Sequence, residues 1–233
     1  MNYSTDNGLF RYKNNKNKYV LLYHSVGSYH FSTKLNNFRK HIKFLSYFSS
    51  DFISEYNETN AKIFLTFDDG YVDNYTKVFP VAKYFNQKIN IYISTKYIGR
   101  EFSFSRTKGK YKVLTNKMIS EMADSGIVEF GSHSHSHIDL SFVNKSRLSY
   151  EIEKSVDIIE SITNTKVSTF SFPFNKININ AFPILERLGI KYLLTGNQPN
   201  FVNSSISIIP RISVDRKSAI FSIFKQLIYS YIK

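Results

Sequence analysis

In the segment Lys62-Ile63-Phe64-Leu65-Thr66-Phe67-Asp68-Asp69-Gly70, an apolar run ends in two adjacent carboxylates. Residues 62–67 are rich in aromatic and β-branched side chains and are soon followed by Gly70, a pattern that predicts a strand buried on both faces rather than a helix. Asp68 and Asp69 then stand at the carboxyl end of that strand. In α/β folds chemistry is placed there, because the loops can converge on a substrate while the strands stay rigid.

Similar apolar runs recur along the chain, with helical patterns between most of them. The predicted strands are 19–24, 62–67, 88–94, 127–131, 166–172, 190–195 and 206–209. One helical pattern is the apolar stripe between 151 and 162, and another is the segment 117–125, which Gly126 closes. Alternation of this kind favours a parallel sheet in an α/β fold with seven βα units.

The composition allows one domain, residues 1–233, of which 42% are hydrophobic. Cysteine is absent, so a metal site must use nitrogen and oxygen ligands. Lysine and arginine outnumber aspartate and glutamate by 31 to 18, which implies attraction to polyanions. The basic residues are spread out and no nucleic-acid motif is present, so we expect a solvated surface and no nucleic-acid partner. Nucleic-acid binding is the alternative that charge alone leaves open.

The chain ends bear on location. Residues 1–8 are polar, and no run approaches the roughly eighteen apolar residues of a membrane span. We therefore expect a protein that is cytoplasmic or peripheral to the inner face of the membrane. An apolar stripe lies between 220 and 231, and it predicts either a last helix packed on the fold, which we favour, or a helix on an anionic membrane surface. The sequence does not indicate an oligomeric state.

A histidine-rich segment, Gly131-Ser132-His133-Ser134-His135-Ser136-His137, follows the carboxylates by some sixty residues. Two neighbouring carboxylates repel each other, which favours a cation that binds one of them and leaves the other free to act as a base. Zinc commonly uses two histidines and one carboxylate and keeps a position for water, whose pKa falls to about 7. These residue types predict a metal-dependent hydrolase. On a strand, the three histidines would share one face, so the residues alone leave open which of them are ligands.

The chain resembles the polysaccharide deacetylases that share the NodB-homology domain, carbohydrate esterase family 4. The first family motif, Thr-Phe-Asp-Asp-Gly, is matched at 66–70, and the second, His-Ser/Thr-x-x-His, at 133–137. Further matches look like the branch that acts on poly-N-acetylglucosamine-type exopolysaccharides; they are Leu21-Leu22-Tyr23-His24-Ser25-Val26, Met122-Ala123-Asp124-Ser125-Gly126, Phe170-Ser171-Phe172-Pro173-Phe174 and Pro210-Arg211-Ile212. The likeness covers roughly 19–215 and implies an irregular (β/α)7 barrel.

The resemblance also assigns roles in the site. It implies that Asp68 is the general base and that Asp69, His133 and His137 hold one divalent ion. We expect Zn2+, with Co2+, Ni2+ or Mn2+ as alternatives. His135 is expected to lie beside the ligands or in solvent.

Two departures from the family pattern concern the proton-transfer groups. Many members have an arginine in the third motif that orients the base, but Ser171 stands there in this chain. Arg211 is the candidate substitute, and a plain packing or surface role is the alternative. Many members take their general acid from a late histidine, yet the last one here is His137. His24 matches the early Tyr-His motif of the branch, and an unperturbed imidazole, with a pKa of about 6.5, can donate a proton at neutral pH. A hydrogen-bonded core histidine is the alternative.

The predicted reaction is hydrolysis of the acetamido group of an N-acetylated sugar, in a polysaccharide or its precursor, with release of acetate. A backbone N–H near Phe174 is expected to help hold the oxyanion. The Phe172-Pro173-Phe174 segment is expected to bind or orient the substrate by offering apolar faces to the sugar ring and the acetyl methyl group, with core packing as the alternative. Three other functions share this site: an O-acetyl esterase, a deacetylase of a lipid-linked sugar, and a catalytically weak glycan-binding module.

Overall fold

Eight parallel strands form one sheet. The computed structural model describes residues 18–27, 32–102, 109–196, 204–214 and 224. The eight strands are β1 (Tyr19–Tyr23), β2 (Ile63–Phe67), β3 (Ile89–Ile93), β4 (Val128–Ser132), β5 (Thr169–Ser171), β6 (Tyr192–Thr195), β7 (Ser207–Pro210) and β8 (Ile212–Ser213). Their order across the sheet is β7-β6-β5-β4-β3-β2-β1-β8. Each of the seven predicted runs overlaps one of β1 to β7, so the predicted α/β fold is confirmed.

Helices connect most of the strands. They are α1 (Leu35–Leu45), α2 (Phe79–Tyr84), α3 (Asn116–Asp124), α4 (Lys145–Thr163) and α5 (Phe182–Arg187). A π-helical turn, Asn74–Val78, leads directly into α2. Two short strand pairs, Ser25–Val26 with Ser32–Thr33 and Glu101–Phe102 with Tyr111–Lys112, lie outside the main sheet.

The eighth strand, which the sequence did not predict, closes the sheet. β7 pairs with β6 at one edge and β8 pairs with β1 at the other, yet only Arg211 separates β7 from β8 in the chain. Because one residue spans at most about 3.6 Å, the two edges must meet at Arg211. The sheet therefore curves into a nearly closed barrel, and the predicted irregular barrel has eight strands rather than seven.

The strands are buried on both faces. Every side chain of β2 is buried, as predicted for this run. Ile63, Leu65 and Phe67 belong to the large apolar cluster that contains the buried residues of the helices, whereas Phe64 belongs to a second cluster with Tyr92 and other residues. Each large side chain buried in this way contributes about 1.5–3 kcal/mol. The resulting barrel fixes the ends of the strands, where α/β barrels place their active sites.

The C-terminal stripe predicted between 220 and 231 lies outside the described residues except for Phe224. The Phe224 ring packs against Phe44 of α1, with 3.9 Å between ring centroids. At Phe224, the C-terminal segment therefore packs on the fold. A structural role is also predicted for His30, which lies outside the described residues. Within the described part of the chain, no helix has the length and apolar character needed to cross a bilayer.

Glu129 on β4 makes the stability of the fold depend on pH. Its Oε1 atom is buried and accepts no hydrogen bond from the described residues, while Oε2 accepts one from Ser54. Burial, together with the charges of Glu55 and Asp51, raises the pKa of Glu129 from 4.5 to about 7. The folded protein therefore keeps a proton that the unfolded chain releases, so the contribution of Glu129 to stability is fully present below about pH 4.5 and is lost as the pH rises through 7.

We expect Glu129→Gln to remove this pH dependence, because a neutral amide replaces the protonated carboxyl group. At pH 8 the variant should be more stable than the wild type by up to about 3 kcal/mol, and near pH 4.5 the two should differ little. Urea denaturation at several pH values measures this difference. Asp157→Asn, at an exposed position on α4, is the control. Parallel pH curves for the wild type and Glu129→Gln would contradict the prediction.

Candidate active site

The two adjacent carboxylates lie in a sharp turn directly after β2. Asp68 and Asp69 are buried, with 3% and 5% exposure. Asp69 and Gly70 have positive φ angles of 75° and 70°. A side chain at Gly70 would be strained at this φ and would meet Ile93, with a Cβ only 3.1 Å from Cγ1. Glycine at this position therefore lets the chain turn and hold both carboxylates inside the mouth of the barrel.

The histidine segment leaves β4 as a tight loop. β4 ends at Ser132, and positive φ angles at Ser134 (63°) and His137 (51°) break the strand alternation. His133 Nε2 and His137 Nε2 lie 3.5 and 3.1 Å from Asp69 Oδ1. His135 instead contacts Thr95, with 2.8 Å between Nδ1 and Oγ1. The loop thus brings His133 and His137 to Asp69 and keeps His135 out of this group.

Asp69, His133 and His137 have the chemistry of a metal site. One ligand atom from each lies within 4.8 Å of the other two, and all three residues are buried. Asp69 Oδ1 is buried and has no hydrogen bond of ordinary geometry within the described residues, so this oxygen is open to a cation. His133 Nδ1 donates to the Ser171 carbonyl over 2.7 Å, which leaves the Nε2 lone pair for an ion. Two nitrogens and one carboxylate oxygen suit Zn2+ and other divalent ions of the first transition row.

The protonation states of His133 and Asp69 agree with metal binding. Burial lowers the pKa of His133 to about 4, so its imidazole is neutral, as a ligand must be. Burial raises the pKa of Asp69, but the close contact and charge of His137 outweigh it and hold the pKa below its ordinary value. Tyr71, a residue that the sequence analysis missed, also hydrogen-bonds to Asp69. The residues present therefore fit a bound divalent cation.

The serines between the histidines hold the loop in shape. Ser132 Oγ accepts from the Ser134 N–H over 3.3 Å, and Ser134 Oγ accepts from the His137 N–H over 3.2 Å. Ser136 is bound through both its N–H and its hydroxyl group to the carboxylate of Glu151. These roles are not predicted from the sequence, although the strict alternation of serine and histidine is their visible signal.

Glu151 on α4 is the anchor of this loop. It is fully buried, accepts from the Ser136 N–H over 2.7 Å through its side chain, and accepts from the His135 N–H over 2.9 Å through its carbonyl group. Arg147, one helical turn earlier, pairs with it at 2.6 Å. Because the loop between two ligands is bound to Glu151, this carboxylate sets how His133 and His137 approach each other.

We expect Glu151→Ala to weaken binding of a divalent ion about 10- to 100-fold, because the loop loses its anchor while all three ligands are kept. Isothermal titration calorimetry with Zn2+ or Co2+ measures this effect. Glu153→Ala is the matched control, since Glu153 lies on the same helix but pairs with Arg187 at the surface. Equal affinities for the two variants would show that Glu151 does not position the ligands.

Asp68 has different partners from Asp69. Arg211 grips it with two parallel contacts, Nη1 to Oδ1 at 2.7 Å and Nη2 to Oδ2 at 2.8 Å. Ser171 Oγ accepts from Arg211 Nη2 over 2.9 Å and donates to Asp68 Oδ2 over 3.3 Å. Burial raises the pKa of Asp68, but the charge and hydrogen bonds of Arg211 outweigh it and hold the pKa below its ordinary value. Asp68 Oδ2 still lies 4.0 Å from His133 Nε2, so an oriented, ionised carboxylate stands beside the candidate metal ligands.

Arg211 therefore contacts the carboxylate that its predicted role requires, although it lies 143 residues further along the chain. Its side chain is fully buried at the joint between β7 and β8, so the surface alternative is excluded. Ser171, identified only as the place of a missing arginine, links Arg211, Asp68 and His133.

His24 follows β1 and is half-buried at the same mouth of the barrel. Burial raises the pKa values of Asp68 and Asp69, and the charge of His24 is among the influences that lower them. Asn74 donates to the His24 carbonyl over 3.1 Å. Asp73 accepts from the backbone N–H of Val26 over 3.2 Å. These two hydrogen bonds, from Asn74 and to Asp73, fix the segment that carries His24.

The three residues of the third motif occupy different surroundings. Phe172 is 1% exposed and packs edge-on against Phe170 at 5.0 Å, so the core-packing alternative describes it. Pro173 is also buried and begins a short 3-10 turn. Phe174 is 55% exposed, and its ring centroid lies 4.8 Å from that of His137. Of the three, only Phe174 presents an apolar face beside the metal ligands.

The chain is similar to several known proteins. Residues 55–193 match the family model described as polysaccharide deacetylase. A Bacillus subtilis protein, YxkH, named for the polysaccharide deacetylases, is 25% identical over 76% of this chain and 63% of its own length. The poly-beta-1,6-N-acetyl-D-glucosamine N-deacetylase of Staphylococcus aureus is 26% identical over 79% of this chain and 68% of its own length. The chain thus spans less than two thirds of YxkH.

Two solved structures share the fold. The Streptococcus pyogenes deacetylase PplD, determined in complex with acetate, has a TM-score of 0.74 and 19% identity, with 90% of this chain and 97% of that one covered. IcaB from Ammonifex degensii has a TM-score of 0.70 and 19% identity, with 91% and 95% covered.

Proposed function

This chain belongs to the polysaccharide deacetylase family, and from that membership we propose that it hydrolyses the acetamido group of an N-acetylated sugar in a polysaccharide or its precursor, releasing acetate and a free amine. The observation that carries the proposal is that the two neighbouring carboxylates have different partners. Asp69 faces two histidines, whereas Asp68 is bound by Arg211. Metal-dependent hydrolysis needs both a ligand set and a separate base.

The residues act in sequence around the acetyl group. A divalent ion held by Asp69, His133 and His137 would lower the pKa of water to about 7 and polarise the acetyl carbonyl. Asp68 takes the proton from the attacking water, and Arg211 and Ser171 keep its carboxylate ionised and aimed during that transfer. We propose Zn2+ as the native ion, and metal add-back after chelation compares it with Co2+, Ni2+ and Mn2+.

The bond to be broken requires a proton donor as well. An amide anion is a very poor leaving group, so the departing nitrogen must be protonated as the tetrahedral intermediate collapses. We propose that His24 supplies this proton and that a backbone N–H near Phe174 helps to stabilise the oxyanion. The positive φ angles of Phe174 (60°) and Asn175 (57°) support the second assignment, because they turn the backbone here beside His137.

We expect His24→Ala to lower kcat for an N-acetylated sugar about 100-fold or more, because the leaving amine then lacks its proton donor. Cleavage of an activated acetate ester should fall much less, since its leaving group departs without a proton. Acetate release from both substrates measures the contrast. His41→Ala, at a half-buried histidine on α1, is the control. Equal losses on amide and ester would remove His24 from the acid role.

A substrate panel tests the proposed function itself. Acetate release is measured from poly-β-1,6-N-acetylglucosamine oligomers, O-acetylated glycans and lipid-linked N-acetyl sugars, with chelator and with metal add-back. Release from the N-acetylated oligomers that chelator abolishes supports the proposal. Preference for O-acetyl esters or for lipid-linked sugars would favour one of those alternatives. Glycan binding without acetate release from any substrate would leave a binding module.

An anionic surface is a second proposed partner, supported by α1 and α2, which pack beside each other. Residues 34–50 and 74–100 contain no aspartate or glutamate. The exposed residues here include Arg39, Lys40 and Lys43 of α1, and Tyr47 and Tyr84 are 77% and 82% exposed. Basic residues with amphipathic aromatic rings suit a lipid headgroup layer. Salt-sensitive sedimentation with anionic vesicles, compared with neutral vesicles, tests this contact, and a location on the inner face of the membrane stays a prediction.

A further inference from the structure

Two loops at the mouth of the barrel expose apolar side chains that the proposed reaction does not use. One loop follows β4 and carries Phe142, which is 85% exposed. The other follows β5 and carries Ile179, which is 68% exposed. Single exposed apolar residues are common on proteins, but a group of them beside a reaction site marks a binding surface.

The two loops are fixed to each other. Asn178, only 7% exposed, donates to the Leu140 carbonyl over 2.8 Å. Lys176 pairs with Asp139, and its Nζ also lies 5.4 Å from the centre of the Phe142 ring. The ammonium group therefore holds the aromatic ring in place through a cation–π contact. Phe142 is a water-exposed ring with a cationic neighbour, and an apolar side chain that is already partly ordered binds a ligand at lower entropic cost.

This surface continues from the metal ligands. Phe174 packs on His137, and Lys176, two residues further on, contacts Phe142. On the other loop, Asp139 stands two residues after His137. A path of neighbouring residues thus leads from the proposed reaction centre to Phe142 and Ile179 across the rim.

We propose that Phe142 and Ile179 form a subsite for a sugar residue of the glycan chain next to the one that loses its acetyl group. The inference rests on the proposed function, because it names where the rest of the substrate lies. When an acetamido group reaches the metal ligands, the neighbouring sugars of a polymer must cross the rim. The apolar faces of a sugar ring match an exposed aromatic ring and a branched aliphatic side chain. The subsite therefore makes the enzyme prefer oligomers to single sugars.

A length series tests the subsite. The values of kcat/KM are measured for β-1,6-linked N-acetylglucosamine oligomers of one to six sugars with the wild type, Phe142→Ala, Phe142→Tyr and Tyr150→Ala. For Phe142→Ala, the ratio of the hexamer value to the monomer value should fall about tenfold. Phe142→Tyr, which keeps the ring, should retain most of the ratio. Tyr150→Ala is the control, because it removes an exposed aromatic ring from α4 outside the two loops, and the ratio should not change.

A binding measurement separates failure of the subsite from failure of the proposed function. Isothermal titration calorimetry with the hexamer and metal-free protein should give an affinity about tenfold lower for Phe142→Ala than for the wild type. If the wild type releases no acetate but this difference is found, the subsite stands and the catalytic proposal fails. If acetate is released and Phe142→Ala keeps both the length ratio and the hexamer affinity, the subsite is refuted. Because Phe142 is so exposed, its replacement should have little effect on folding, and circular dichroism checks this.

Discussion

Asp68→Asn is expected to lower kcat for acetate release by a factor of about 10³ while the affinity for a divalent ion changes little. The amide cannot accept a proton from the attacking water, yet Asp68 is not among the three residues whose ligand atoms converge. The side chain keeps its size, and its oxygen can still accept from Arg211, whose guanidinium now holds it in place. Steady-state kinetics and calorimetric metal titration measure the two quantities on the same preparation.

The neighbouring variant is the control. Asp69→Asn should lose most of the metal affinity, because the oxygen that faces His133 and His137 loses its negative charge. Its activity should return in part at a high metal concentration, whereas that of Asp68→Asn should not. If Asp68→Asn lost the ion and Asp69→Asn kept it, the roles of the two carboxylates would have to be exchanged.

Arg211→Met is expected to produce the second large effect, a loss of about 100-fold in kcat and of about 3 kcal/mol in stability. Arg211 and Asp68 are both buried, at 4% and 3% exposure. Removing the guanidinium leaves the carboxylate buried without its cation, so the pKa of Asp68 rises and the base is no longer held in an ionised, fixed orientation. Urea denaturation and kinetics measure the two losses.

Two further variants show whether the losses of kcat and stability come from the ion pair between Arg211 and Asp68. Arg211→Lys keeps the charge but not the two parallel contacts, so its activity should lie between those of the wild type and Arg211→Met. In the double variant with Asp68→Asn, stability should recover in part, because no uncompensated carboxylate is left. Full activity in Arg211→Met, or additive losses of stability in the double variant, would contradict the account.

The parts of the fold that the sequence predicted are those with a repeated pattern. The apolar runs of β1 to β7 are long enough to be recognised, and the two motifs point to Asp68, Asp69, His133 and His137 through residue type and spacing. β8 has two residues and no pattern of its own. It exists because the chain crosses from one edge of the sheet to the other at Arg211, which is a property of the closed barrel.

The missed parts of the site depend on contacts between distant segments. Ser171 binds Arg211 and Asp68 only because β5 and the joint after β7 approach β2 at the same end of the barrel. Glu151 did leave a signal, since it interrupts the apolar face of α4 between Leu148 and Ile152. A carboxylate on the buried face of a helix needs a buried partner, but the sequence does not say which loop supplies it.

The most direct test of the account is the position and number of bound ions. Zinc- or cobalt-loaded protein is crystallised and the metal is located by anomalous diffraction, with calorimetry on the same protein to count sites. We expect one ion per chain, bound by Asp69, His133 and His137, with Asp68 held by Arg211 and not coordinated. An ion bound by Asp68 or His135 in place of these ligands, or no ion at this site at saturating metal, would contradict the proposed metal centre and the mechanism built on it.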